Sequence, residues 1–174
     1  EKKFPSRVLN IGIAEQNMVG IAAGLALQNK TVFIYAISSF LYSRAYEQIK
    51  LNLCSMNLKV CLILSGPGLC YAPDGPTHYS LEDISMLNNL PNLKIFSPYD
   101  RKSSFMAINF FTKNNSPCVV RCDKGKFFEQ INSNLDCAEI IKGEENAIVS
   151  HGFFVNYCTE NTIKLKKHKI GLIG

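Results

Sequence analysis

The sequence predicts an α/β fold in which a parallel sheet is covered by helices on both faces. Continuous apolar runs recur along the chain, and segments with helical spacing separate them. Because strands of a parallel sheet are buried on both faces, they form continuous rather than alternating apolar runs. The 174 residues are somewhat more than one typical domain, and a content of 47% hydrophobic and 19% charged residues is sufficient for a substantial core.

The first third of the chain contains three predicted strands and two predicted helices. Each strand is a short apolar run, and the run TVFIYAI is an example. The third strand ends at the sequence SGPG, which disfavours both helix and strand. In chain order these elements are a strand at 8–11, a helix at 14–28, a strand at 31–37, a helix at 40–56 and a strand at 58–64.

The middle of the chain begins with a long Gly- and Pro-containing loop that extends to Tyr79. Ser80 and Asp83 have the spacing of a capping box, so we expect a helix to begin there and to end before Pro91. The same alternation then continues, with a strand at 93–96, a helix at 101–112 and a strand at 118–122.

A second, shorter unit is predicted at the C-terminal end. Residues 1–126 form one predicted domain, and the loss of periodicity after it indicates a linker at 127–145. Residues 146–174 carry one further β-α-β pattern. Because about thirty residues cannot close a domain of their own, we expect this second α/β domain to be incomplete. Its predicted elements are a strand at 147–150, a helix at 156–167 and a strand at 170–173.

Composition excludes several classes of protein. No uncharged run exceeds fourteen residues, which is shorter than a membrane span requires. The N-terminal sequence EKKFP lacks the apolar core of a signal peptide. The seven cysteines include no C-x-x-C pair, which favours free thiols in a reducing compartment. We therefore expect a soluble cytoplasmic protein without membrane association.

The formal charge of +5 derives in part from a basic cluster at 164–169. Such a cluster can bind nucleic acid, or it can be a solvated helix end where cations suit the helix dipole. We favour the second interpretation and expect no nucleic-acid partner.

The first of three unusual motifs is NIGIAEQNMVGIAAG, at 10–24. It predicts a strand that passes through Gly12 into a helix whose first turn holds Glu15. Small residues leave one side of this helix smooth enough for a backbone or a flat ligand to approach. The alternative is a dipole-favoured Glu15 on an ordinary, tightly packed helix.

The second and third motifs each follow a predicted strand. Ligands of parallel α/β sheets bind at the carboxyl ends of strands, so Phe40 in SSFLYSRAYEQ could face a ring. Core aromatics are the alternative. The sequence DGPTH, at 74–78, lies in a loop of about fourteen residues, a length that is usually functional in a compact domain. His78 could equally be an ordinary surface histidine.

Taken together, the three motifs resemble the pyrimidine-binding domain of the transketolase family of thiamine-diphosphate enzymes. The resemblance extends from Phe4 to Asp100 and continues more loosely to the end of the chain. The chain is most similar to separate C-terminal transketolase subunits and next to 1-deoxy-xylulose-5-phosphate synthase. The segment from Ala147 resembles the start of the family's C-terminal domain. The segments that carry the resemblance are GIAEQNMVGIAAGLA, FLYSRAYEQIK and DGPTHYSLEDISMLNNLPNLKIFSPYD.

The resemblance implies cofactor-binding roles for three residues. Glu15 would hydrogen-bond a ring nitrogen of the aminopyrimidine and act catalytically, because this bond favours the imino tautomer that removes the thiazolium C2 proton. Phe40 would stack on the pyrimidine, and Arg44 would border the pocket.

Substrate contacts are implied for three more residues. Asp74 and His78 match loop residues that contact the hydroxyls and the oxygen of the donor ketose, and His78 would also be catalytic. Arg121 matches a position that binds substrate phosphate in some members. A plain ion pair is the alternative for an arginine at a strand end.

The implied activity is a thiamine-diphosphate-dependent, transketolase-type transfer of a two-carbon ketol unit between sugar phosphates or related sugars. This chain would supply the pyrimidine half of a shared active site. Two alternatives are the beta subunit of a 2-oxo acid dehydrogenase and a non-catalytic assembly or regulatory paralogue. The DGPTH loop and the sequence LPNLKIFSPYD favour the sugar enzymes.

The chain departs from the family pattern in what it lacks. The G-D-G signature for the diphosphate and metal is absent, as are the strand and helix that precede the segment beginning at Phe4 in the family. No other Gly-rich phosphate loop replaces the signature. We therefore expect no metal ligands on this chain, and expect Mg²⁺ and the diphosphate to be held by a partner chain or domain that carries G-D-G. We therefore expect the protein to form a homo- or hetero-oligomer.

Overall fold

Two sheets with helices packed around them form the part of the chain that the computed structural model describes, residues 2–125 and 139–174. The first sheet has four strands in the order β1-β2-β4-β3, and the second has three in the order β5-β7-β6. The strands are β1 (Val32–Ile37), β2 (Val60–Ser65), β3 (Lys94–Phe96), β4 (Cys118–Cys122), β5 (Glu139–Ile141), β6 (Asn146–Val149) and β7 (Ile170–Ile173).

Helices lie between the strands of both sheets. They are α1 (Glu15–Leu27), α2 (Ser38–Arg44), α3 (Tyr46–Gln48), α4 (Asp83–Leu87), α5 (Arg101–Lys113), α6 (Phe153–Glu160) and α7 (Thr162–Lys167). Two 3₁₀ turns at Pro5–Arg7 and Ala72–Asp74 and a π-helical stretch at Ile49–Ser55 complete the elements. The single helix predicted at 40–56 is thus divided into α2, α3 and the π-helical stretch, which follow one another along the chain.

Every pairing within the first sheet is parallel, and its register aligns the carboxyl ends of the strands. Ile37 pairs with Ser65, and Ser65 pairs with Cys122. The residues that follow β1, β2 and β4 therefore emerge at one edge of the sheet. This is the edge at which parallel α/β sheets bind ligands.

Apolar clusters cover both faces of this sheet. The larger one packs α1, α2 and the π-helical stretch against one face, and the smaller one packs α5 against the other. Full burial of one such aliphatic side chain contributes about 1.5–3 kcal/mol. Fully buried members include Val19, Leu41, Ile49, Leu53, Leu62, Leu64, Phe111 and Val119. Burial on both faces of the sheet explains why its strands are continuous apolar runs. The predicted α/β fold class is confirmed.

The strand predicted at 8–11 is wrong. Residues 8–14 are irregular, Leu9 is 65% exposed, and Ile13 is 92% exposed. β-propensity alone does not make a strand. Among the described residues, this segment has no neighbouring strand with which to form a ladder. Gly12, at φ +75°, turns the chain into α1, and its N–H donates to Asn10 Oδ1 at 2.9 Å.

The capping box predicted at Ser80 and Asp83 does not form. α4 begins at Asp83 itself, and Ser80 Oγ lies 2.5 Å from Ser38 Oγ, so the hydroxyl joins α2 rather than capping a helix. A capping box instead begins α5, where the Asp100 side chain accepts from the Ser103 N–H at 2.7 Å. Tertiary contacts thus take the Ser80 hydroxyl away from its local partner.

The second sheet contains the β-α-β unit predicted at the C-terminal end. β6 pairs parallel with β7, and α6 and α7 connect them. The segment predicted as a linker, 127–145, lies largely outside the described residues, but its residues 139–141 form β5 and pair antiparallel with β7. The domain boundaries themselves stay predictions.

The structure bears on two expectations drawn from composition, concerning membrane spans and cysteines. Among the described residues, no helix is both long and apolar enough to cross a membrane. The six cysteines in the same part of the chain are free thiols, as predicted: Cys54, Cys61, Cys70, Cys118, Cys122 and Cys158.

Candidate active site

The start of α1 and the end of α2 meet through Glu15 and Arg44. Arg44 Nη1 donates to both carboxylate oxygens of Glu15 at 3.3 Å, and Gln16 Nε2 donates to the Arg44 carbonyl at 2.9 Å. The Glu15 side chain is 11% exposed, whereas that of Arg44 is 46% exposed. An open cleft of about 470 Å³ lies beside this pair. A largely buried carboxylate therefore borders an accessible space.

Phe40 connects this ion pair to the third motif. The Arg44 guanidinium lies 4.0 Å from the centre of the Phe40 ring, a cation–π contact. The Phe40 ring also contacts His78, whose ring centre lies 4.8 Å from that of Phe40 at an interplanar angle of 65°. Glu15, Arg44, Phe40 and His78, which come from all three sequence motifs, are thus in continuous contact.

The loop that carries His78 is fixed to α2. Ser39 Oγ donates to the Thr77 carbonyl at 3.2 Å, and Thr77 Oγ1 lies 2.9 Å from His78 Nδ1. The backbone N–H of His78 donates to the Gly75 carbonyl at 3.0 Å, and Gly75 has a φ of +83°. The backbone hydrogen bonds thus fix the loop, and the Thr77 hydroxyl contacts the imidazole.

Asp74 lies on the same loop, at the end of the 3₁₀ turn Ala72–Asp74. It is exposed, and within the described chain its carboxylate forms no hydrogen bond or ion pair with another side chain. The structure therefore places Asp74 on the His78 loop without joining it to the four connected residues.

Arg121 has a different environment from the other predicted site residues. It is 6% exposed, and its guanidinium donates to the two carboxylate oxygens of Asp83 at 2.8 and 3.2 Å. It also donates to Ser97 Oγ at 2.8 Å and lies 3.3 Å from His151 Nδ1. The ion pair that the sequence left as an alternative is present, and it ties β4 to α4 and to the loop before α6.

The contact with Arg121 also affects His151. Loss of solvation around the imidazole lowers its pKa, and the neighbouring guanidinium lowers it further, because both disfavour a second positive charge. Asp123 and Asp83 act in the opposite direction and are weaker. The neutral form of the His151 imidazole is therefore favoured beside Arg121.

Two residues at the same edge were missed by the sequence analysis. The Tyr71 hydroxyl lies 3.4 Å from Ser65 Oγ, and its ring centre lies 6.1 Å from that of His78. Lys124, two residues after β4, places its Nζ 3.5 Å from the centre of the Tyr71 ring. The only sequence signal was position, since each follows a strand that ends at the binding edge. Tyr71 is adjacent to the site that the three motifs form.

Among the described residues, neither a metal cluster nor a second, larger cleft marks another centre of chemistry. Within residues 2–125 and 139–174, no group of three or more His, Cys, Asp and Glu side chains is placed to hold a metal ion. A larger open cleft, of about 850 Å³, lies between β3 and α5 and contains none of the predicted site residues. We therefore place the candidate site at the carboxyl edge of the first sheet.

The family model described as the transketolase pyrimidine-binding domain matches residues 1–129. The chain belongs to this family. The family resemblance inferred from the three sequence motifs is thereby confirmed.

The curated relatives include both kinds of protein that the motifs resemble, a transketolase subunit and a 1-deoxy-D-xylulose-5-phosphate synthase. A subunit of the apulose-4-phosphate transketolase of Actinobacillus succinogenes is 34% identical, and the match covers 97% of this chain and 56% of the relative. The 1-deoxy-D-xylulose-5-phosphate synthase of Clostridium perfringens (strain SM101) is 33% identical, with 97% of this chain and 28% of the relative covered. The chain thus spans about half or less of the length of these relatives.

Solved structures show the same fold. A split-gene transketolase, described as an inactive beta4 tetramer, matches 99% of this chain and 58% of its own, with a TM-score of 0.83 and 25% identity. The transketolase of Leishmania mexicana matches 93% of this chain with the same TM-score and 19% identity, which supports the fold alone.

Proposed function

We propose that this chain supplies the pyrimidine-binding half of the active site of a thiamine-diphosphate-dependent, transketolase-type enzyme. The enzyme transfers a two-carbon ketol unit between sugar phosphates or related sugars, and belongs to the transferases of aldehyde or ketone residues. One observation carries the proposal. Residues from three separate motifs, namely Glu15, Phe40 with Arg44, and His78, lie in continuous contact at the ligand-binding edge of the sheet.

The side chains at this edge fit one half of the cofactor. An aminopyrimidine needs a carboxyl group for a ring nitrogen and an apolar surface for its face, and Glu15 and Phe40 are of those types. The diphosphate and Mg²⁺ need oxygen ligands in octahedral geometry. The described residues include no such cluster. The chemistry of the side chains thus fits the pyrimidine and not the diphosphate.

Each site residue has a proposed task that its environment supports. Thiamine diphosphate, when bound, would supply a carbon acid for chemistry at the carbonyl of the ketose. Glu15 holds or gives a proton at its carboxyl group, in the position fixed by Arg44. Phe40 orients the pyrimidine, and His78, with Asp74 beside it on the loop, hydrogen-bonds the oxygens of the donor sugar.

Arg121 has a weaker case as a substrate-binding residue. Most of its donors are engaged by Asp83, Ser97 and His151. A phosphate could contact what remains of the guanidinium only at the sheet edge. Its contribution to substrate binding is therefore the last part of the proposal to test.

A partner chain or domain with a G-D-G signature completes the proposed site. Such a partner would hold the diphosphate and Mg²⁺, and would cover Glu15. The split-gene transketolase that matches this chain is itself described as an inactive beta4 tetramer, which supports a requirement for a second component. We also propose an oligomeric enzyme and a cytoplasmic location, which the free thiols of the described residues suit.

Calorimetry of this chain tests the shared site. Thiamine diphosphate with Mg²⁺ is titrated first into the chain alone and then into the chain mixed with a G-D-G-bearing partner. We expect measurable binding only in the mixture, since this chain anchors only the pyrimidine. Micromolar binding by the chain alone would refute the division of the site.

The two alternative functions predict different results with the same mixture. A transketolase-type enzyme turns over a ketose phosphate, whereas the beta subunit of a 2-oxo acid dehydrogenase supports oxidation of a 2-oxo acid. A non-catalytic paralogue binds the partner but neither the cofactor nor a ketose. Turnover of the ketose phosphate, compared with that of the 2-oxo acid, distinguishes all three.

A further inference from the structure

We propose that Asp123 is a positioning residue, which holds the loop that carries His78 against the C-terminal β-α-β unit. The inference rests on the proposed function, because it assigns a role in the same site. It involves a residue that belongs to none of the three sequence motifs, and it gives α6 a part in supporting the site.

The Asp123 carboxylate joins two segments that are distant in sequence. Asp123 directly follows β4, and one of its oxygens accepts from the backbone N–H of Phe153, the first residue of α6, at 2.7 Å. The other oxygen accepts from Cys70 Sγ at 3.5 Å. A carboxylate accepts through both of its oxygens, so this one side chain serves both donors at once.

Two glycines allow the chain to approach this carboxylate closely. Gly152, at φ +58°, precedes α6, and a Cβ there would collide with the Asp123 oxygen that accepts from Phe153. Gly125, at φ +147°, follows Asp123 by two residues, and a Cβ there would collide with the Phe153 ring. Both positions disfavour a side chain by conformation as well as by space. The backbone on each side of the contact is thus shaped for it.

The partly buried Cys70 thiol keeps the proton that it donates. Loss of solvation raises the pKa of this thiol, and the negative charge of Asp123 raises it further. A backbone hydrogen bond from Lys124 acts in the opposite direction. The neutral thiol is therefore the favoured form near neutral pH, and in that form it can donate to a carboxylate.

The tie between Asp123 and Cys70 extends to His78 through Tyr71. Tyr71 follows Cys70 directly, and its ring centre lies 6.1 Å from that of His78. Backbone hydrogen bonds between residues three apart shape the turn around Tyr71. Such local bonds do not fix the turn relative to the sheet, so contacts such as that between Cys70 and Asp123 set its position. Displacement of the turn would therefore move Tyr71 and, beside it, His78.

Hydrogen exchange tests the position of the loop without reference to activity. It is measured by mass spectrometry at residues 69–78, in the complex of this chain with its G-D-G-bearing partner. The variants are Cys70→Ala, Cys70→Ser and Asp123→Ala. The serine substitution keeps a hydrogen-bond donor at position 70, whereas the alanine substitution removes it. Cys158→Ala is the matched control, because Cys158 is another partly buried thiol, on α6.

We expect C70A and D123A each to speed exchange in this loop by about 10-fold, because each removes a hydrogen bond to a charged group. C70S and C158A should behave as wild type, and exchange in β1 should be unchanged in every variant. Loop exchange that stays at the wild-type rate in either C70A or D123A overturns the inference.

Turnover of fructose 6-phosphate by the same complexes tests the role in the site. D123A should lower kcat by about 10- to 100-fold with thiamine diphosphate affinity unchanged, because the proposed contacts of the loop are with the donor sugar. The C70A/D123A double variant should be no slower than D123A, since the second substitution removes a contact already lost. Additive losses would refute the coupling. A wild-type complex without turnover contradicts the proposed function, whereas hydrogen exchange still decides whether Asp123 positions the loop.

Discussion

The buried ion pair between Arg121 and Asp83 allows a sharp test of what holds this edge of the sheet together. The Asp83→Asn variant preserves the shape and volume of the side chain but removes its charge. The Asp83 and Arg121 side chains are only 1% and 7% exposed, so the remaining guanidinium would be buried without a counter-charge. Removal of one partner of such a pair destabilises a protein by about 3–5 kcal/mol.

An exposed ion pair in the same chain supplies the matched control. The side chains of Lys169 and Glu144 are 68% and 61% exposed, and their charged atoms lie 2.9 Å apart. Because such pairs contribute about 0–1 kcal/mol, Glu144→Gln should change the free energy of unfolding very little. Both substitutions are isosteric, and the pairs they break differ chiefly in burial.

Urea unfolding of the full chain, followed by circular dichroism, measures both variants. D83N should lower the free energy of unfolding by about 3–5 kcal/mol, and its Tm by about 6–20 °C for a chain of this size. The D83N/R121M double variant should recover part of this loss, because it leaves no unpaired charge. A loss below about 1 kcal/mol in D83N would show that Arg121 is solvated or has another counter-charge, and would refute the assignment.

Three further predictions concern single side chains. Glu15→Gln should lower turnover by about 100- to 10,000-fold at saturating cofactor. Glu47→Gln, at an exposed position, is the control. Near wild-type turnover in the Glu15 variant would rule out a catalytic role for Glu15. His78→Ala should lower kcat for the ketose donor while calorimetry finds cofactor affinity unchanged; collapse of that affinity would make the loop structural. The pKa of His151 is lowered in the folded chain, so the unfolded chain binds more protons, and stability falls as the pH drops through 6.5. His151→Gln should flatten that loss in urea unfolding measured from pH 7.5 to 5, and an unchanged slope would contradict it.

Much of the first sheet could be predicted because its signals are local. Strands buried on both faces are continuous apolar runs in the sequence, and β1, β2 and β4 are each within two residues of the prediction at either end. The apolar runs of β1 and β2 end at serine or glycine residues, so the positions of Phe40 and His78 after these strands could also be predicted. Three motifs, two of which follow strands, were enough to identify the family.

Contacts between distant residues were beyond prediction from local pattern. Asp83 was expected to form a capping box with Ser80, and its carboxylate instead pairs with Arg121, 38 residues away. The segment 8–11 has strand-forming residues, but a strand also needs a neighbour with which to pair. Neither outcome is encoded in a short window, because each depends on what the rest of the chain brings alongside.

The sequence by itself thus determined the fold class, the family and the residue types of the candidate site. Only the tertiary structure decided how those residues combine: Glu15, Arg44, Phe40 and His78 meet, while Arg121 is turned inward to Asp83. The physical reason is that burial of a charge must be compensated by a nearby partner, and proximity between distant segments arises only when the sheet has assembled.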